Sequence, residues 1–132
     1  MRRERGRGDG DNARMTPLET ARTYMNHLAA GRFAELGALF AEDSVWQPPP
    51  PLPEVRGGAA ILAGYTALGA VTPPLNVVEC RYLVDGQTVA VEFTVADADG
   101  GNRSAVVDVF DVDEEGRVVR MTAYSRGPVT SE

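Results

Sequence analysis

The apolar and polar positions divide this chain into a helical half, where apolar residues recur every three or four, and a strand half, where they alternate. Residues 1–14 follow neither rhythm; rich in glycine and charge, they read as a disordered tail that includes Arg7-Gly8-Asp9. Order is expected from Thr16. Thr16-Pro17-Leu18-Glu19 spells a helix start: a capping hydroxyl, proline at the first helical position, and glutamate three residues after the cap. Leu18, Ala21, Met25, Leu28 and Ala29 follow at helical spacing, Tyr24 borders that stripe, and Gly31 stops it. A second helix is predicted from Phe33 to Phe40, with Phe33, Leu36, Leu39 and Phe40 inward, and Ser44–Gln47 reads as a brief extended piece. Pro48-Pro49-Pro50-Pro51-Leu52-Pro53, nearly without backbone donors, predicts a stiff, extended loop over the fold. Gly57 to Gly69 predicts a third helix with Ile61, Leu62, Tyr65 and Leu68 inward, ended by Pro73-Pro74.

From there the period becomes two. Strands are predicted at Leu75–Val84, at Thr88–Ala96 with Val89, Val91, Phe93 and Val95 on one face, at Arg103–Val112, and at Arg117–Arg126. Asp85-Gly86, a glycine-rich connection at 97–102, and Asp113–Gly116 separate them. Three helices followed by four long antiparallel strands predict an α+β domain over residues 15–128, with 129–132 as a C-terminal tail. The three N-terminal helices are expected to pack on a strongly curved, mostly antiparallel sheet that encloses a conical cavity.

One residue breaks the strand pattern. Asp108 shares its face with Ser104, Val106, Phe110 and Val112, so an acid has apolar neighbours two residues away on both sides. An ionised carboxylate in that position is costly. It faces solvent, pairs with Arg103 or Arg120, or stays protonated and becomes a hydrogen-bond donor.

Composition narrows the chemistry. The 132 residues suit one domain. The formal charge is −6, and since residues 1–14 are net +2, the body carries about −8, which argues against a nucleic-acid partner. Every basic residue is arginine; with heavy use of alanine, glycine, valine and proline, this points to a GC-rich bacterial genome. Cys80 and His27 are the sole members of their types, so neither an intrachain disulfide nor a Cys/His zinc site is expected. No apolar run approaches a membrane span and no signal-peptide pattern opens the chain, so a cytoplasmic protein with no membrane partner is expected.

The run from Val106 through the acidic turn Asp113-Glu114-Glu115-Gly116 to Met121-Thr122-Ala123-Tyr124 resembles the ketosteroid isomerase group of the SnoaL-like/NTF2-like superfamily. The resemblance extends over nearly all of the chain from about Thr16. It implies a cystatin-like/NTF2-like cone and a site without cofactor or metal. By that resemblance Tyr24 matches a first-helix tyrosine and Asp108 a protonated aspartic acid, which together donate hydrogen bonds to a substrate carbonyl as it becomes an enolate. Tyr65 matches a supporting tyrosine, and Phe40 stands where another tyrosine is common. Gln47, just before Pro48, occupies the slot of the proton-shuttling aspartate, and glutamine cannot shuttle a proton near neutral pH. Glu79 is the leading substitute base, with Glu54 and His27 behind it, while Glu92 should point away. Trp46, Val89, Val91, Phe93, Val106, Phe110, Met121 and Ala123 are expected to wall the pocket, where Ser125 replaces a common aromatic. Val107, Val109 and Tyr124 suit an outer sheet face that pairs two copies. The expected function is a cyclase or isomerase acting on a hydrophobic, carbonyl-bearing polyketide-type intermediate. The alternatives are a double-bond isomerase with a substitute base, or a binding module without catalysis.

Overall fold

The computed structural model describes residues 14–96 and 103–129, the last three by backbone alone. The expected N-terminal tail, the connection at 97–102 and the C-terminal tail beyond Val129 lie outside them. Helix α1 spans Pro17–Ala30 and begins as its sequence dictates. The Thr16 hydroxyl accepts from the Glu19 amide at 3.1 Å, and the Glu19 carboxylate accepts from the Thr16 amide at 2.8 Å. Gly31, at φ 76°, closes the helix in the left-handed conformation. Deeper in, the Thr20 hydroxyl donates to the Gly116 carbonyl at 2.8 Å and fastens this helix to the last hairpin of the sheet.

Helix α2 is shorter than predicted. It covers Phe33–Gly37, and Phe40 already opens strand β1 (Phe40–Gln47). The Val118 amide donates to the Leu39 carbonyl at 3.0 Å, so pairing with a distant strand captures residues whose local pattern continues the helix. The proline run is likewise not extended. The Leu52 amide donates to the Pro49 carbonyl at 3.1 Å across a turn whose Pro50–Pro51 bond is cis. The turn reverses the chain, so that β2 (Val55–Arg56), which the pattern does not predict, pairs antiparallel with β1. Helix α3 follows at Gly58–Val71. Ile61 and Tyr65 are buried, but Leu62 and Leu68 turn outward.

Strands β3 (Asn76–Asp85), β4 (Thr88–Ala96), β5 (Arg103–Val112) and β6 (Val118–Val129) follow the predicted meander closely. They are antiparallel to one another, but β1 runs parallel to β6, giving a mixed six-stranded sheet in the order β2-β1-β6-β5-β4-β3. Two strands therefore stand between α2 and α3 in the chain, and the three helices are not consecutive. Helix α1 packs on β3, β4 and β5, and α3 on β1 and α2. The helix-covered face carries the row Trp46–Met121–Phe110–Val89 and, next to it, the row Ala123–Asp108–Val91. Among the described residues no helix is long and apolar enough to cross a membrane.

Candidate functional site

Asp108 lies on the helix-covered face of β5 and is 3% exposed. Among the described residues no hydrogen bond or ion pair reaches its carboxyl group. Arg103 is paired elsewhere, with Glu79 at 3.4 Å, and Arg120 sits on the opposite face, across from Asp111. Burial alone pushes the Asp108 carboxyl up to about 7. Of the three outcomes open to a strand acid among apolar neighbours, the buried and partnerless one holds.

Two phenols lie close enough to Asp108 to be influenced by its charge. Tyr24 projects from α1 and Tyr65 from α3, and their hydroxyl oxygens stand 2.6 Å apart in a buried hydrogen bond. Burial holds both phenols well above the usual tyrosine range; for Tyr24, its neighbour and then the Asp108 charge add to the shift. Both stay neutral, and a neutral phenol can donate. The ring of Tyr24 meets Phe110 edge-on at 4.9 Å, which fixes the helix phenol against the strand that bears Asp108. Tyr65 is clamped by Trp46, stacked at 4.2 Å and 19°, and by Phe40 at 5.8 Å. Tyr24, Tyr65 and Asp108 thus form one polar island inside an apolar interior.

The other sequence-derived candidates fall elsewhere. The backbone of Gln47 is in register with Thr122 and, beyond it, Val109, the row on the opposite face from Asp108. Its amide nitrogen donates to the Pro48 carbonyl at 3.1 Å. On β1, Trp46 and not Gln47 shares the face of Asp108, in step with buried Phe40 and Ser44 along the same strand. Glu79 sits at a second irregularity, at φ 62°, on the edge strand. It is exposed and held by Thr94 at 3.2 Å and Arg103 at 3.4 Å, whereas Arg81 pairs with Glu92 at 3.1 Å. Glu54 is paired with exposed Arg56. His27 accepts from Arg32 at 3.1 Å on the outside of α1. Ser125 is exposed.

The expected pocket wall is a packed core. Val89, Val91, Phe93, Phe110, Met121, Ala123 and Trp46 are buried in one cluster with Tyr24 and Tyr65, and Val106 packs half-buried against it. Open apolar space lies instead on the far side of Trp46, in a groove of about 460 Å³ that Leu52, Val55 and Leu68 help to line. The groove was not foreseen from the sequence, although α3 carries a signal for it: none of its fourteen residues is charged. Among the described residues no cluster of three or more His, Cys, Asp or Glu is placed to hold a metal.

No curated protein matches the chain. Among solved structures, a protein from Sphaerobacter thermophilus aligns at TM-score 0.69 and 24% identity, covering 86% of this chain and 98% of its own. A Kribbella flavida DSM 17836 protein, proposed to be a ketosteroid isomerase, aligns at TM-score 0.68 and 25% identity, covering 88% of this chain and 82% of its own. The SnoaL-like domain model matches residues 21–121, more than three quarters of the sequence, and with Tyr24, Tyr65 and Asp108 all inside that span the chain belongs to the SnoaL-like domain family.

Proposed function

We propose that the protein is a cyclase or isomerase that acts on a hydrophobic, carbonyl-bearing biosynthetic intermediate of polyketide type. Tyr24 and protonated Asp108 donate to the carbonyl oxygen as negative charge develops on it, and Tyr65 orients the Tyr24 hydroxyl. The observation that carries this reading is the carboxyl of Asp108, buried and without a partner, beside the hydrogen-bonded phenol pair. A donor in a dry site acts on developing charge far more strongly than it does in water. With Gln47 turned to the other face and Glu79, Glu54 and His27 engaged outside, ring closure fits the site better than proton shuttling by any of these groups. Polarising an enone for intramolecular attack by a hydroxyl requires the donors and a folded substrate, and no dedicated base.

A second reading, a double-bond isomerase, draws on one feature. Burial pushes the Asp108 carboxyl up to about 7, into the range of a general base, and its carboxylate form would abstract and return a proton. A shifted double bond with no new C–O bond, read from the product's carbon NMR spectrum, marks this reading, and a new ring C–O bond marks ring closure.

The direct test is binding of 2-naphthol, a rigid phenol that imitates an enolate. Tyr24→Phe removes one donor by deleting a hydroxyl, and Asp108→Leu removes the other by putting methyls in place of the carboxyl oxygens; each is expected to weaken binding at least tenfold, or about 1.4 kcal/mol. Parent-like affinity in both variants rules out the donor pair. Weakened binding without turnover of any carbonyl substrate leaves a binding module.

A further inference from the structure

Tyr24, Tyr65 and Asp108 are each no more than 3% exposed, so a carbonyl can reach them only if a wall moves. Most of the surrounding wall belongs to the sheet interior: Val91, Phe110 and Ala123 sit on paired central strands. Trp46 differs. One face of its indole stacks on Tyr65. The indole also borders the open groove between the proline turn and α3, with Pro48, Leu52 and Val55 on one side and Leu68 and Val71 on the other. A single aromatic ring therefore separates the groove from Tyr65, whose hydroxyl is 2.6 Å from that of Tyr24.

The groove is built for an uncharged ligand. Its lining holds no ionisable side chain, its volume of about 460 Å³ lies within the range of small-molecule sites, and Leu52, Leu68 and Val71 hold their side chains exposed around it. Beside Tyr65, the part of α3 that meets Trp46 carries only small residues. A Cβ at Gly64 would come within 3.2 Å of the indole, so the ring lies against bare backbone, with only the methyl of Ala67 one turn further on.

We infer that this groove holds the apolar body of the substrate, and that Trp46 is the movable wall through which the substrate's carbonyl oxygen reaches Tyr24. The inference rests on the donor reading above. The indole tilts along the Gly64 and Ala67 side of α3, and the leading ring of the substrate takes its place against Tyr65. The ligand class is an uncharged aryl or polycyclic ketone with its carbonyl at one end; charged ligands are rejected because nothing in the groove can pair with them.

Trp46 is the only tryptophan of the chain, so its emission reports the groove directly. 2-Acetylnaphthalene, a neutral aryl ketone with its carbonyl at one end, is titrated against the full chain, with Leu68→Glu, Val71→Glu and Tyr24→Phe in parallel. Leu68 and Val71 are 36% and 77% exposed, so a charge at either position leaves the core intact. The expected result is saturable binding that changes Trp46 emission and weakens at least tenfold in both glutamate variants. Parent-like binding in both glutamate variants overturns the groove, and so does the absence of saturable binding to the parent. Weakening by the glutamates with Tyr24→Phe unaffected supports the groove while removing the donor reading. Weakening by Tyr24→Phe alone does the reverse.

Discussion

At the scale of single residues, the protonation of Asp108 links site chemistry to stability. Its carboxyl titrates near 7 in the folded protein, against 3.8 for an ordinary aspartate. The folded chain therefore binds this proton more firmly than the unfolded chain. The associated stability is fully present below about pH 4 and is lost as pH rises through 7, and the whole effect is roughly 4 kcal/mol. Asp108→Asn, which cannot ionise, is expected to gain about 3 kcal/mol relative to the parent between pH 5 and pH 8, read from urea midpoints. A difference that stays constant across that range contradicts a buried, titrating carboxyl. Activity that depends on Asp108 as a donor is expected to fall above pH 7. Asp108 was legible in the sequence because a central strand has two faces and the acid shares one of them with Val106, Phe110 and Val112. Glu79 was not, because it lies at a register irregularity that changes which residues face inward, and two-residue alternation carries no trace of such a shift. Gln47 was named from the family's slot, whereas alternation from buried Phe40 and Ser44 puts Trp46 inward.

At the scale of elements, local chemistry explains what could be read in advance. Helix α1 was legible because its cap, proline and terminal glycine act within a few residues of one another. Thr16→Ala removes half of the reciprocal cap and is expected to cost about 1 kcal/mol, measured by chemical denaturation; an unchanged midpoint means that the cap is idle. Strands β4 and β5 were legible from alternation. The early end of α2, the turn in the proline run and strand β2 were not, because each is decided by pairing with a segment elsewhere in the chain. Helix α3 falls between the two cases. Its existence was apparent, but a helix without a charged residue gives no clear stripe to follow, so Leu62 and Leu68 were placed on the wrong side.

At the scale of the whole molecule, the helix-free face of the sheet supports a proposal about assembly. Val107 and Tyr124 are paired across β5 and β6, with Val109 two residues from Val107 on the same face. Tyr124 is 58% exposed, and the Arg81–Glu92 ion pair flanks this apolar strip. A second copy laid across it would bury the strip in a two-fold contact and could exchange ion-pair partners at its border. Sedimentation velocity is expected to find a dimer in the parent and a monomer in Tyr124→Arg, with unchanged far-ultraviolet circular dichroism. A monomeric parent contradicts the assignment.

The sheet order has a consequence for how the molecule is made. Strand β6, which follows all the other described strands in the chain, is inserted between β5 and β1, and β1 is synthesised long before it. Until residues near Met121 emerge, the nascent chain consists of an early helix–strand lobe and a later three-stranded meander with no ladder between them, and the indole of Trp46 has no neighbour across the seam. Assembly of the interior must therefore wait for β6, and a chain cut before Val118 would keep two lobes with no strand to join them.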